Sequence, residues 1–350
     1  VYWFRKAHER LETEGRAGLV ATNSISQNRN RGPTLEWITE NGGVITHAVS
    51  KRPWPGTAVV NVSIVNWVKR PAMPPVRFVL DGEVVDGITP SLRPTGGDDV
   101  AQAKRLVRNA GRSFQGPIPA DGGGFLLTME EATELLNRAE ADYQAVVRPF
   151  LTSDDIGQRI GQQASRYAID FAFLTLEAAQ KYPAAIEIVR QRVKPFRDRN
   201  RDEGFRTRWW QFGRPRRSMR NAVAQLTRYV AGTRHGTRLH FCWCDPWTLA
   251  SDATNVFAFE DDYAIGVLTS RVHGEWARAQ SSTIRADIRY TPTSAFETFP
   301  WPKPSEGQRR AIGELARGLM ERRSEICLER QIGLTTLYND LDEGAYADLR

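Results

Sequence analysis

The sequence predicts an α/β segment followed by an α+β region and a helical C-terminal part, and three observations predict it. Over about the first seventy residues, apolar runs alternate with helix-period segments. Short strand-like runs bounded by Gly, Pro, Asn and Asp then take over as far as about residue 270. From residue 305 onward, apolar residues return at helical spacing.

Residues 3–14 place Phe4, Ala7 and Leu11 on one face of a helix that Gly15 ends. The run AGLVATNS (17–24) is apolar and then polar, which predicts a buried parallel strand. GVITHAVS (43–50) and AVVNVSIVNWVK (58–69) predict two more strands. The second alternates Val60, Val62, Ile64 and Asn66 against Asn61, Ser63, Val65 and Trp67. Three strands are too few for a doubly wound sheet, so the rest is expected upstream of Val1. A first residue that is not Met and already reads as mid-helix agrees with a chain cut from a longer one.

FVLDGEVVDGITPSL (78–92) predicts a hairpin turning at Asp81–Gly82. A polar Gly/Pro stretch covers 93–124. Thr128 and Glu131 form a capping box for a helix expected to reach about Val147, before Pro149. Strands are expected at 166–173, 238–243, 255–259 and 264–269, and a helix at 220–229. Over 305–349, Ile312, Leu315, Leu319, Ile326, Leu328 and Ile332 give amphipathic spacing. The expected divisions are 1–75, 76–150, 151–304 and 305–350.

Of the 350 residues 41% are hydrophobic and 25% charged, the balance of a soluble globular chain. No apolar run approaches the roughly 18–20 residues of a membrane span, and the start lacks a secretory pattern. Cys242, Cys244 and Cys327 make neither a disulfide framework nor a four-ligand zinc site, and suit a reducing cytoplasm. The acidic trio Glu260, Asp261 and Asp262 reads as a turn between strands rather than a metal centre, so no metal is expected. Net charge is +7, and its placement is more informative. Between residues 190 and 238 fourteen arginines and Lys194 face three acids, Asp198, Asp202 and Glu203. Phe196, Phe205, Trp209, Trp210, Phe212 and Tyr229 are interleaved with them. Arginine makes bidentate phosphate and guanine contacts and stacks on bases, so this stretch predicts a nucleic-acid surface.

Within it, Arg214, Arg216, Arg217 and Arg220 lie at the start of the expected helix and are candidate DNA contacts. In STIRADIRY (282–290), Arg285, Asp287 and Arg289 would share one face of a strand. That face either reads guanine and cytosine edges or forms an internal Arg–Asp–Arg ladder. His273 and Trp276, one helical turn apart, read as packing and capping residues.

YWFRKAHERLETEGRAGLVATNSI (2–25) resembles the stretch just after the catalytic loop of N6-adenine DNA methyltransferases. RYAIDF (166–171), RVKPFRDRNR (192–201), SRVHGEWARA (270–279), RYTPTSAFETFPWP (289–302) and RRSEICLERQIGLTTLYN (322–339) resemble the target-recognition region and C-terminal helices of MmeI-like (Type IIL) restriction–modification enzymes. The resemblance covers nearly the whole chain. It implies the C-terminal part of a Rossmann-like, S-adenosyl-L-methionine-dependent methyltransferase sheet, a mixed target-recognition domain and closing helices. It also implies double-stranded DNA as partner and a flipped adenine as target. Strand 58–69 resembles the one that presents an aromatic to the flipped base, which makes Trp67 the stacking candidate, or else a packing residue. Asn23 lines the pocket or makes an Asx turn. The family's Gly-rich cofactor turn and Asn/Asp-Pro-Pro-aromatic loop are both missing from the sequence. MPPV (73–76), CDPW (244–247) and GGGF (122–125) do not replace them, so the chain alone is expected to be inactive and to carry the DNA-reading part. The alternative is a non-catalytic DNA-specificity subunit, for which an internal duplication is expected and none is visible.

Overall fold

The computed structural model describes residues 1–58, 60–72, 77–96, 100, 103–284, 287–346 and 349, with backbone alone at 28–29 and 283–284. They form two compact units, one of residues 1–106 and 275–299, the other of 107–274 and 300–350.

In the first unit α1 (Tyr2–Arg10) precedes β1 (Arg16–Thr22), a 3-10 turn at Asn23–Ser26, and the one-turn helices α2 (Asn28–Arg31) and α3 (Trp37–Glu40). The strands β2 (Gly43–Pro53), β3 (Asn61–Lys69), β4 (Phe78–Leu80) and β5 (Glu83–Val85) follow. The sheet order is β1-β3-β2-β4-β5. Strand β3 is antiparallel to both β1 and β2, while β2 and β4 are parallel. The link from β2 to β3 is too short for a crossover, so those strands form a hairpin. Strands β1 and β2 therefore share a direction, and their carboxyl ends lie on one edge. Strand β1 is not buried on both faces as expected: it alternates, and Val20 is 51% exposed. Asp81 (φ 53°) and Gly82 (φ 93°) are both left-handed, as the hairpin turn requires.

The core of this unit is Phe4, Leu35, Ile38, Ile45, Val65 and Trp67 with their neighbours. Phe4 stacks on Trp67 with ring centroids 5.6 Å apart. The Trp67 indole N–H donates to His8 Nδ1 at 3.2 Å, and His8 Nε2 lies 3.3 Å from the Asn41 carbonyl. This pattern assigns the His8 proton to Nε2 and suits a neutral ring. Desolvation, with Lys69 and Arg70 nearby, holds its pKa below the usual histidine value.

The second unit starts with β6 (Ser113–Gln115), β7 (Leu126–Leu127), α4 (Met129–Leu136), β8 (Val147–Leu151), α5 (Ser153–Gln158) and β9 (Arg166–Ile169). Five helices follow: α6 (Leu176–Ala179), α7 (Pro183–Arg192), α8 (Lys194–Asp198), α9 (Glu203–Thr207) and α10 (Arg217–Val223). Then come β10 (Tyr229–Thr233), β11 (His235–Gly236), β12 (Phe241–Cys244), β13 (Leu249–Ala250), β14 (Thr254–Phe257) and α11 (Asp262–Thr269). Within α12 (Arg271–Gln280) the chain returns to the first unit, which receives β15 (Ser282–Ile284) and β16 (Asp287–Arg289). The helices α13 (Glu306–Arg330) and α14 (Leu334–Asp342) end the second unit.

Its two four-stranded sheets have the orders β13-β8-β9-β7 and β12-β10-β14-β6. Segment 107–150 is thus not a separate connector, because β6, β7 and β8 each complete a sheet of the second unit. The Thr128–Glu131 capping box forms, but α4 stops at Leu136. The expected continuation to Val147 gives way to a turn capped by Asp142 and to β8, whose Val147 pairs with Ile169. Residues 264–269 form a helix rather than a strand. Asp261 caps it, and an apolar run buried on every side has no period to separate the two readings. On α13, Leu315 and Leu328 are exposed, whereas Gly313, Ala316, Arg323, Ile326 and Cys327 are buried. Small residues set that face: a Cβ on Gly266 of α11 would lie 2.9 Å from that of Ala316. Cys242 and Cys244 are buried on β12, and burial pushes both thiols up, Cys244 to about 12.

His240 and His273 are also buried, and desolvation lowers each to about 4. His273 Nδ1 lies 2.8 Å from the Leu268 carbonyl, and His240 stacks on Tyr338. A histidine depressed in the folded state favours folding while neutral. That stability is present above the unfolded pKa of about 6.5 and is lost as pH falls towards the folded value. The melting temperature should therefore fall steadily from pH 6.5 to pH 4 in scanning calorimetry. His273→Asn should flatten that decline while lowering the melting temperature at pH 7.5.

Candidate nucleic-acid interface

The arginines between residues 190 and 238 divide into structural and surface groups. Arg220 belongs to the first. Its Nη1 and Nη2 donate to Asp170 Oδ2 and Oδ1 at 2.7 and 3.0 Å, and its Nε to the Pro215 carbonyl at 2.6 Å. The Asp170 side chain is fully buried, and Arg148 Nη1 reaches it at 3.6 Å from the other side. Arg148 also donates from Nε to the Trp247 carbonyl at 2.8 Å. Arg197 is buried, donates to the Pro119 carbonyl at 2.6 Å and stacks over Phe205. Arg216 is left-handed (φ 60°) and donates to Gln115 Oε1 at 2.8 Å. Arg228 pairs with Asp262, and Arg238 with Asp342.

Arg206 is exposed but is tied to its own loop, donating to the Asn200 and Arg201 carbonyls at 2.7 and 3.0 Å. Arg199, Arg201, Arg208, Arg214 and Arg217 form the second group. All are exposed and have no ion-pair partner among the described residues. The Arg217 guanidinium lies over the Phe173 ring at 3.8 Å, and the residue as a whole remains exposed. These five lie along 199–217, a segment anchored by buried Trp209 and Phe212 and by the Trp210 indole N–H on the Leu174 carbonyl at 2.8 Å. Phe196, 51% exposed, adds an aromatic face beside them in sequence. Five unneutralised guanidiniums on an anchored scaffold attract a polyanion.

Three sequence-based candidates change role, one of them Arg216, whose guanidinium is spent on Gln115. Trp67 is 1% exposed, sandwiched in the core and hydrogen-bonded to His8, so it offers no face to a base. Arg220 is committed to Asp170, and the helix carrying it spans 217–223 rather than 220–229. Segment 282–290 is not one strand: β15 and β16 pair antiparallel, with Ile284 opposite Asp287. Arg285 lies outside the described residues. Asp287 and Arg289 flank buried Ile288 on the opposite face of β16, with Arg289 exposed. His273 and Trp276 pack inward, the Trp276 indole donating to the Ala295 carbonyl at 3.1 Å.

Asn23, just past the end of β1, is 9% exposed and lines a cleft of about 270 Å³ in the first unit. On the same sheet edge, Trp54 follows β2 at the hairpin tip, is 45% exposed and donates its backbone N–H to the Val60 carbonyl. The Pro-Trp-Pro-Gly run at 53–56, a turn between two apolar strands, is the signal that could have singled out Trp54 over Trp67. GGGF (122–125) serves a turn: Asp121 accepts from Gly123 and Phe125 backbone N–H groups, and Phe125 enters the core.

The first unit offers a sheet edge, and the second is a two-sheet module with a basic, aromatic-bearing surface. The family model described as MmeI, target recognition domain, matches residues 98–303. This chain belongs to that family. A curated relative, DNA methyltransferase A of Bacillus subtilis (strain 168), is 23% identical over 327 residues, covering 89% of this chain and 36% of that protein. The solved structure of the Type IIL restriction–modification enzyme MmeI in complex with DNA superposes with a TM-score of 0.74 at 22% identity. The match covers 92% of this chain and 44% of MmeI, and it shows a shared fold. The chain thus spans about a third of the curated relative and under half of MmeI.

The division of the arginines makes a direct prediction. Arg220→Ala leaves Asp170 buried with Arg148 as the one cation near it and the Ala172 N–H as its hydrogen-bond donor, and should destabilise by about 3–5 kcal/mol. Arg217→Ala should stay within about 1 kcal/mol of wild type. Urea unfolding of the two variants checks this; equal midpoints would show that Asp170 does not depend on Arg220.

Proposed function

We propose that this chain is the DNA-reading part of a methyltransferase of a restriction–modification system, one that uses S-adenosyl-L-methionine to methylate adenine N6. The observation that carries the reading is the set of five exposed, unpaired arginines on the 199–217 segment of a target-recognition domain. Arg214 and Arg217 serve as phosphate contacts, which position the protein without carrying sequence information. Asp287 and Arg289, together with Arg285, are the candidates for base edges, because Asp accepts from cytosine N4 and Arg pairs with guanine O6 and N7. With Trp67 closed, Trp54 becomes the aromatic candidate for stacking on an extruded base, a contact worth about 1–3 kcal/mol.

The residues present do not fit the cofactor. The sequence has no Gly-rich turn after an opening strand, and the glycines at 122–124 serve the Asp121 turn. What these residues contribute is grip, register and a wall for the target base.

Duplex DNA of mixed sequence should bind with a log–log salt slope of up to about −4.5 if all five arginines meet phosphates, at about 0.9 per contact. The same chain should incorporate no label from methyl-labelled S-adenosyl-L-methionine. A flat salt dependence would remove the DNA surface, and methyl transfer would remove the claim that the catalytic loops lie outside these residues.

In cells expressing the intact protein, Asp287→Ala should change which sequence is methylated, by about 1–3 kcal/mol of base discrimination. Arg217→Ala should weaken all sites together. Genome-wide mapping of methylated positions distinguishes the two. An unchanged motif in an active Asp287→Ala variant would assign Asp287 to structure.

A further inference from the structure

The cleft beside Asn23 has a chemistry that the basic surface of the second unit does not account for. It opens in the first unit at the edge where β1 and β2 end, the edge at which open α/β sheets bind their ligands. Its volume of about 270 Å³ suits one phosphate with its sugar rather than a larger molecule. Four cations line it, Arg31, Lys51, Arg93 and Arg278, with the amides of Asn23 and Gln27. No carboxylate lines it among the described residues. Arg31 is matched by Glu36 at 2.7 Å. Lys51 and Arg93 have no ion-pair partner among the described residues, and both are exposed.

The cations are placed by the fold. The register of β2 against β3 shifts between Val49 and Arg52, and a bulge of this kind re-aims the side chains within it, here Ser50 and Lys51. Arg93 closes a tight loop. Its carbonyl accepts from Thr89 N–H at 2.9 Å and its own N–H donates to Thr89 Oγ1 at 3.2 Å. Leu92, left-handed at φ 55° and 3% exposed, plugs the loop into the core. Asp81, the acid next to this region, is spent on Ser50: its Oδ1 accepts from Ser50 N–H at 2.7 Å and its Oδ2 from Ser50 Oγ at 2.6 Å. Cations in a concave wall whose nearby acids, Glu36 and Asp81, are already engaged form an anion site, and oxygen-rich anions match the arginine fork.

We propose that this cleft grips a backbone phosphate of the bound DNA strand, with Lys51 and Arg93 as its principal ligands and Arg278 as support. The cleft belongs to the first unit and the 199–217 surface to the second, and the proposal rests on the reading that the chain binds DNA. Its position at the Trp54 edge of the sheet makes the phosphate next to an extruded nucleotide the expected occupant.

The test uses the 350-residue chain, a mixed-sequence duplex and the same duplex carrying one unpaired adenine, with anisotropy titrations from 50 to 300 mM salt. Lys51→Ala/Arg93→Ala should keep the wild-type melting temperature, and should reduce the magnitude of the salt slope by about 1–2. It should also abolish any preference for the unpaired adenine, and Lys51→Arg/Arg93→Lys should restore both. If wild type binds the duplex and the double alanine variant matches it in slope and preference, the phosphate grip is overturned while DNA binding stands. If wild type binds neither duplex, the DNA reading falls and the grip with it. Inorganic phosphate, titrated by NMR, separates the sources. A wild-type site that saturates below millimolar phosphate while the variant's DNA slope is unchanged assigns the cleft to a small phosphate ligand and overturns the DNA assignment.

Discussion

The second unit is organised around one buried carboxylate. Asp170 directly follows β9 and is held by Arg220 of α10 and approached by Arg148 of β8. Arg148 in turn holds the 246–247 turn through backbone carbonyls. One acid therefore ties together a strand pair, a helix and a loop that are far apart in the chain. The desolvation of such a group is tolerable only with its partners in place, because a buried charge left alone costs several kcal/mol while a satisfied one is near neutral. The network contributes specificity of arrangement more than net stability. By fixing where α10 starts, it fixes where 199–217 must run, and so which arginines reach solvent.

The first unit obeys a different constraint, the short hairpin from β2 to β3. Because β3 must run back between two parallel strands, its inward face is Ser63, Val65 and Trp67, and the Trp67 indole needs a hydrogen-bond acceptor inside the core. His8 supplies it from α1, which is possible only while His8 is neutral. The same geometry sends the other end of the hairpin, with Trp54, to the edge where Asn23 lies. The two tryptophans thus divide the work of an aromatic strand: one fills the core and the other is offered to solvent.

Much of the fold was legible in the sequence where local chemistry decided it. The Asp81–Gly82 turn, the Thr128–Glu131 capping box and the two C-terminal helices all formed. Errors came where tertiary pairing decided. Residues 137–147 have helical composition, yet β9 recruits Val147 into a ladder. Residues 264–269 are apolar on every side and carry no period. STIRADIRY alternates like one strand but folds back on itself as β15 and β16. For the site, arginine density was readable and arginine fate was not. Arg217 and Arg220 are three residues apart in one helix, and only a buried acid fifty positions earlier separates a surface cation from a structural one.

That sorting constrains how such a module could read sequence at all. Arginines that sit on phosphates hold a duplex equally well whatever its bases, so on the proposed reading the 199–217 surface would supply affinity and register but little choice. Choice requires a few side chains held rigidly at base-pair distance, and rigidity comes from short hydrogen-bonded elements rather than from long flexible stems. The β15–β16 hairpin has that character: buried Ile288 pins it to the core, and Asp287 and Arg289 project from the other face with opposite charge. If that face meets a base, as proposed, a change there would alter what is presented while leaving Ile288, the pairing of the hairpin and the Asp170 network untouched. Recognition residues carried in this way can vary without refolding the protein, whereas residues carried as Arg220 is carried cannot.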